Sequence, residues 1–209
     1  TKPATSRDVA RLANVSQSTV SRVLQGSTFV EPVTRDAVMK AIAQLGYLPS
    51  AAARSMRTRR SNTIALVVAS LTVNPLFPTL LQLLSAELRR YGLQAIVWEA
   101  ESIEEDTARQ LIESAIDGVI VTTAVDAATP FLTQVAQRKP VVLVNRAISG
   151  NVFDQISSDN LEGGRTVADY FCDQGKRRIG LLSAKQHQAS TIQDRERGFK
   201  DGLLRRGIK

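Results

Sequence analysis

The chain has 209 residues, 43% of them hydrophobic and 22% charged, which is enough to build a core and more than one folding unit. Its net charge of +7 is uneven: residues 1–60 hold ten Lys/Arg against three Asp/Glu, whereas residues 61–209 hold seventeen of each sign. One cysteine, Cys172, excludes an internal disulfide and a Cys-rich metal site; residues 1–25 contain no apolar leader, and the longest aliphatic run, 64–69, is too short to span a bilayer. We therefore expect a cytoplasmic protein with no metal, cofactor or membrane partner. A small basic module on a neutral body is the electrostatic footprint of a nucleic-acid binder, although charge alone fits a solubilising surface equally well.

Residues 1–48 read as three short helices. Thr5 and Asp8 form a capping-box start for a helix burying Val9, Ala10 and Ala13. Asn14 suits the left-handed turn that ends it. Ser16 caps a second helix with an inward stripe of Val20, Val23 and Leu24, stopped by Gly26. Pro32 opens a third, with Val33, Ala37, Val38, Ala41, Ile42 and Leu45 facing inward and Gly46 closing it. Residues 49–61, PSAAARSMRTRRS, read as a short conditional helix and a basic linker, because so few residues do not hold a helix in water alone.

From residue 62 to 209 strand and helix patterns alternate. Apolar runs at 64–69, 93–98, 118–122, 141–145 and 179–183 read as buried parallel strands, with helical patterns near 78–91, 104–115, 129–138, 161–174 and 192–206. The expected fold is thus an all-α helix-turn-helix headpiece followed by α/β, a doubly wound parallel sheet. Cys172 falls on an expected apolar helix face with Val167, Ala168 and Phe171, and reads as a small buried hydrophobe.

Turning the second helix so that Val20, Val23 and Leu24 face inward leaves Gln17, Ser18, Ser21, Arg22 and Gln25 outward. Arginine pairs with guanine O6/N7 and glutamine with adenine N6/N7, so this surface suits the major groove. Thr5, Ser16 and Thr19 are placed to hold phosphates and fix the register. In the α/β part, ligands of doubly wound sheets bind beyond the carboxyl ends of the strands. Asn74 and Phe77, Arg146, Asp159 and Arg195 are the residues expected there. An Asp/Arg set with an aromatic wall suits hydroxyl-rich or anionic small molecules.

Residues 5–25, TSRDVARLANVSQSTVSRVLQ, resemble the headpiece of the lactose-repressor/galactose-repressor (LacI/GalR) family. The likeness continues through GYLPSAAARSM, NPLF, DGVIV, PVVLVNR, SDNLEGG and DRERGF, covering effectively the whole chain. The resemblance implies a transcription regulator that binds a pseudo-palindromic double-stranded operator as a homodimer, with positions 17, 18 and 22 setting specificity. It further implies a hinge helix that includes Ala53 and Met56 and contacts the minor groove, Met56 standing where the family carries a wedging leucine. The segments at 74–77, 146, 159 and 195 would line an effector cleft between two subdomains. On this reading residues 62–209 are the first subdomain, and we expect the natural chain to be longer.

An enzyme is the first alternative. His187 is the lone histidine and sits in the polar stretch KQHQAS, and no GxGxxG, P-loop or metal-ligand cluster is present. The second alternative is a periplasmic-type ligand-binding protein, which shares the α/β pattern but has no use for residues 1–60.

Overall fold

The computed structural model describes residues 3–48, 55, 58, 60–69, 71, 76–150, 152–183 and 189–208. The chain divides into two compact units, Thr1–Arg59 and Arg60–Lys209.

The first unit holds α1 (Ser6–Leu12), α2 (Gln17–Leu24) and α3 (Pro32–Leu45). The Thr5 hydroxyl accepts from the Asp8 amide and the Asp8 carboxylate from the Thr5 amide, so both sides of the capping box are made. Asn14, at φ 51°, makes the left-handed turn into Ser16, whose side chain caps α2 through the Thr19 amide. Gly26 and Gly46, at φ 71° and 57°, end α2 and α3 in a conformation that costs other residues. Val9, Ala10, Val20, Val23, Val30, Val38 and Ala41 form the core, flanked by Ala13, Val15, Ile42, Leu45 and Tyr47. Two inward expectations fail at the rims. Leu24 is 38% exposed and Val33 is 79% exposed, because each lies on an end turn where a three-helix core this small no longer covers the stripe. Ser55 and Thr58, the described residues between 49 and 59, have helical backbone. Ala53 and Met56 lie outside the described residues.

The second unit contains β1 (Thr63–Val68), α4 (Leu76–Arg90), β2 (Gln94–Glu99), α5 (Glu105–Glu113), β3 (Gly118–Val121), a 3-10 turn (Asp126–Ala128), α6 (Thr129–Ala136), β4 (Val141–Val144), β5 (Asp154–Ile156), α7 (Asn160–Asp173) and α8 (Ser190–Arg205). The sheet is parallel with order β2-β1-β3-β4-β5. The chain winds outward through β2, then crosses β1 to build the other side, so the order reverses between β1 and β3. Ala65, Val67, Val119, Val121, Val141 and Leu143 share one core with Ala108 and Leu111 of α5 and Leu132 and Val135 of α6. Each fully buried leucine or isoleucine here, such as Leu66, Ile103 or Leu132, contributes about 2 kcal/mol.

The fifth strand is not where the apolar pattern puts it. Residues 179–183 have no regular structure, and Leu181 and Leu182 are exposed. A strand is a paired state, and the place beside β4 is taken by the short segment Asp154–Ile156, whose backbone supplies the ladder without an apolar signature. Helices α7 and α8 pack so closely that a Cβ on Gly198 would stand 1.9 Å from the Leu161 carbonyl oxygen, and one on Gly164 2.2 Å from that of Arg195. The expected apolar face of α7 is split: Ala168 is buried, Cys172 is half-buried, and Val167 and Phe171 are exposed. No described helix is long and apolar enough to cross a membrane.

Candidate DNA-reading face and ligand cleft

On α2 the buried valines fix which side faces out. Val20 and Val23 are held in the core, and Gln17, Ser18, Arg22 and Gln25 are exposed, with Ser21 half-buried beside them. Together these five line one shallow open depression. None is tucked into the unit's own interior. The face is pre-arranged by short polar links. The Gln17 amide donates to the Ser6 hydroxyl of α1 at 2.8 Å, and the Gln25 amide donates to the Ser21 hydroxyl at 2.9 Å. Ser16 Oγ stands 2.7 Å from Ser18 Oγ and 2.8 Å from Thr19 Oγ1, so three hydroxyls cluster at the N-terminus of α2. Free N–H groups at a helix start favour anions, and hydroxyls beside them suit a phosphate. Thr5, the third expected phosphate holder, engages its hydroxyl with Asp8, donating to Oδ2 at 2.6 Å. Among the described residues the Arg22 guanidinium makes no hydrogen bond or ion pair. After α2, the Arg35 guanidinium donates to the Ser27 carbonyl at 2.6 Å and fastens the loop.

In the α/β unit, three of the five expected cleft residues come together. Arg146 follows β4 immediately after Asn145, which has a left-handed φ of 57° that turns the chain. Its Nη1 donates to the Asn145 carbonyl at 2.7 Å and to Thr191 Oγ1, on α8, at 3.1 Å. Arg195, one turn further along α8, donates from Nε to Asn160 Oδ1 at 2.9 Å, and Asn160 is the first residue of α7. Asp159 is the N-cap of that helix, its Oδ1 accepting from the Glu162 amide at 2.9 Å. Burial, and then the like charge of Arg195, hold the Arg146 guanidinium below its ordinary value. Among the described residues neither arginine shares an ion pair with a carboxylate. Two guanidinium groups in such repulsion leave a positive potential that an anionic or oxygen-rich ligand would relieve.

Phe77 stands apart from that group. Phe77 is 5% exposed and belongs to the core at the start of α4. Asn74 lies outside the described residues, as does His187. Sequence reasoning missed two threonines at the carboxyl end of β3. Thr122 donates to the Val67 carbonyl at 2.9 Å. Thr123 is 6% exposed, and its hydroxyl is without a partner among the described residues, an arrangement that costs free energy unless a ligand or water meets it. Their position beside the reversal point of the sheet was the available signal. The loop after β4 is braced to its neighbours: the Asp126 carboxylate accepts from the Ser149 amide and hydroxyl, and Ser190 Oγ accepts from the Ala147 amide.

Comparison with known proteins places both units. The family described as bacterial regulatory proteins, lacI family, matches residues 5–50, and that described as periplasmic binding proteins and sugar binding domain of LacI family matches residues 61–209. Among curated relatives, the HTH-type transcriptional repressor PurR of Photobacterium profundum is 31% identical over 98% of this chain and 62% of its own length. The HTH-type transcriptional regulator GalS of Salmonella typhimurium is 33% identical over 98% of this chain and 60% of its own. Among solved structures, a complex of the transcriptional regulator CelR with cellobiose is 30% identical, with a TM-score of 0.63, over 99% of this chain and 63% of that one. The lac repressor dimer bound to operator and an anti-inducer superposes at a TM-score of 0.87 with 23% identity, which speaks to the fold, over 100% of this chain and 64% of that one. The chain thus spans about 60% of the length of the relatives it matches.

Proposed function

Because the chain belongs to the lacI family of bacterial regulatory proteins, we infer that it is a DNA-binding transcription regulator, a repressor, whose hold on its operator is set by a small molecule. The observation that carries this is the exposed reading face of Gln17, Ser18, Ser21, Arg22 and Gln25 on a basic headpiece whose valines bury the opposite side of the same helix. In the major groove Arg22 would pair with a guanine and Gln17 with an adenine, while Ser16, Thr19 and Thr5 meet phosphates. Two headpieces, one per half-site, would read a pseudo-palindrome as a homodimer, with Ala53 and Met56 on the minor-groove side of the hinge.

The effector we propose is a sugar or a sugar-derived acid or phosphate, held by Arg146, Arg195 and Asp159, with Thr123 offering its hydroxyl, Asn74 approaching from the segment after β1 and the buried Phe77 backing that segment. The unneutralised arginine pair supports the anionic members of that class. Effector binding would shift the populations of two arrangements of the body that space the hinges differently.

The test is DNA affinity against salt. We expect log K to fall with log salt at a slope of about −0.9 per phosphate neutralised. Arg22→Ala should cost roughly 1–3 kcal/mol per half-site and relax the preference at one base pair. A flat salt response, or binding to no duplex selected from a random pool, would leave a ligand-binding protein without DNA function as the reading to adopt.

A further inference from the structure

Where the chain runs into the α/β unit, one carboxylate holds it. Asp117 Oδ1 accepts from the Ser61 amide at 2.8 Å and the Ser61 hydroxyl at 3.0 Å, and Oδ2 accepts from the Asn62 amide at 2.8 Å. Asn62 has a left-handed φ of 55°, so the backbone bends there, immediately before β1 begins at Thr63. The Asn62 carbonyl accepts from the Gln94 amide at 2.7 Å, and the Asp117 amide donates to the Thr63 carbonyl at 2.8 Å. The bend is therefore bonded to the first residues of β2 and to the residue that leads into β3.

The register of β1 does not need these bonds. The ladders to β2 and β3 set it from Thr63 and Ile64 onward. What the Asp117 carboxylate adds lies upstream of β1: it fixes the position and orientation of Ser61 and Asn62, where the connecting segment enters the sheet. Asp117 is itself well held. Gly118, next in line, is packed closely enough that a Cβ would meet Ile64 Cδ1 at 3.3 Å. Lys139 faces Asp117 electrostatically while its ammonium donates to the Leu111 and Ser114 carbonyls at 2.7 and 2.6 Å. The carboxylate thus reports the placement of the central strand and of the C-terminal end of α5.

The geometry points to Asp117 as a positioning residue for operator binding: it sets where, and in which direction, the segment bearing the headpiece leaves the sheet. This rests on the DNA-binding reading above and goes beyond it, since the residue stands in the α/β unit and touches no base. Two tethered headpieces reach two half-sites together only if each tether starts from a defined point. A loose exit lowers the effective concentration of the second headpiece at its half-site. Binding of a single headpiece to a single half-site is indifferent to it.

Asp117→Asn keeps the size of the side chain but turns one acceptor oxygen into a donor that faces other donors. Binding is measured on a full operator selected from random duplex by the wild-type chain, and on a duplex carrying one half-site. The expected result for D117N is about tenfold weaker binding to the full operator, within the usual range for coupling between sites. Half-site binding stays unchanged, and hydrogen exchange at the Ser61 and Asn62 amides becomes faster. Ser61→Ala removes one of three donors and leaves the carboxylate in place. It gives an intermediate loss, and it carries the test if D117N does not fold. Equal losses on both duplexes, or faster exchange without any loss on the full operator, overturn the proposal. So does a wild-type chain that holds the full operator no tighter than the half-site. A wild-type chain that selects no duplex instead overturns the DNA-binding reading itself.

Discussion

The headpiece and the α/β unit organise their polar side chains on different length scales. Around the reading face the described bonds join near neighbours: Ser16 to Ser18 and Thr19, Ser21 to Gln25, and Ser6 to Gln17 eleven residues away. In the α/β unit the bonds that matter span the fold: Ala147 to Ser190 over 43 residues, Arg146 to Thr191 over 45, and Ser61 to Asp117 over 56. Their cores differ as well. The largest fully buried side chains of the headpiece are the valines Val9, Val20 and Val38, whereas the α/β unit buries Leu66, Ile103, Leu111, Leu132 and Leu143. A face made by helical period alone is simple to build and easy to vary. A site made by distant contacts stands or falls with the packing of the whole unit.

Three substitutions or conditions probe that contrast. The largest effect is expected from Gly198→Ala. Its new Cβ would meet backbone at 1.9 Å, so the α7–α8 pair must separate, at about 3 kcal/mol of stability. Calorimetry should show the α/β transition lowered and the headpiece transition unmoved; a shift in both would mean that the units unfold as one. Next is Val20→Ala, which removes two buried methyl groups and leaves a cavity, at about 2 kcal/mol. DNA affinity should be lost at temperatures where the circular dichroism of the α/β unit is intact, and equal weakening of effector binding would contradict the separation.

The smallest concerns pH. Burial raises the Asp117 carboxyl, but the Ser61 and Asn62 amides, the Ser61 hydroxyl and the charge of Arg60 outweigh it, and the group sits below its ordinary value of 3.8. A carboxyl whose folded value is depressed contributes stability that is fully present above the unfolded value and is lost as pH falls through the folded one. The Ser61 and Asn62 amides should therefore follow an NMR titration whose midpoint lies below the ordinary carboxyl value. A transition at higher pH would show that the bonds do not hold.

The same difference of scale decides what could be read from the sequence. Thr5 with Asp8, Asn14, Ser16, Gly26 and Gly46 announce helix ends through bonds within three or four residues, and all act as expected. The outward set on α2 followed from placing Val20, Val23 and Leu24 inward, and it survives the exposure of Leu24 because the two valines alone fix the face. The parallel sheet was legible at β1, β3 and β4 because buried strands are apolar along their length, whereas β2, expected to be buried, is an edge strand with Ile96 and Val97 exposed. The last member of the sheet was not legible, since Asp154–Ile156 joins through backbone alone while 179–183 carries a strand pattern with no strand beside it. Arg146, Asp159 and Arg195 were named by their place beyond strand ends and by family likeness, and no local pattern could reveal that α8 brings Thr191 to Arg146 and Arg195 to Asn160. Asp117 is invisible to any periodicity, because its partners lie more than fifty residues earlier.

On the proposed function, the bond from Gln17 to Ser6 has a consequence for how DNA targets change. If the Gln17 amide reads a base, its orientation is owned jointly with a serine on another helix. An exchange at position 6 would then alter base preference without touching the reading surface, and the same exchange at position 17 would give different outcomes in relatives with different residues at position 6. Operator preference in this lineage would be inherited as a two-residue word, not letter by letter.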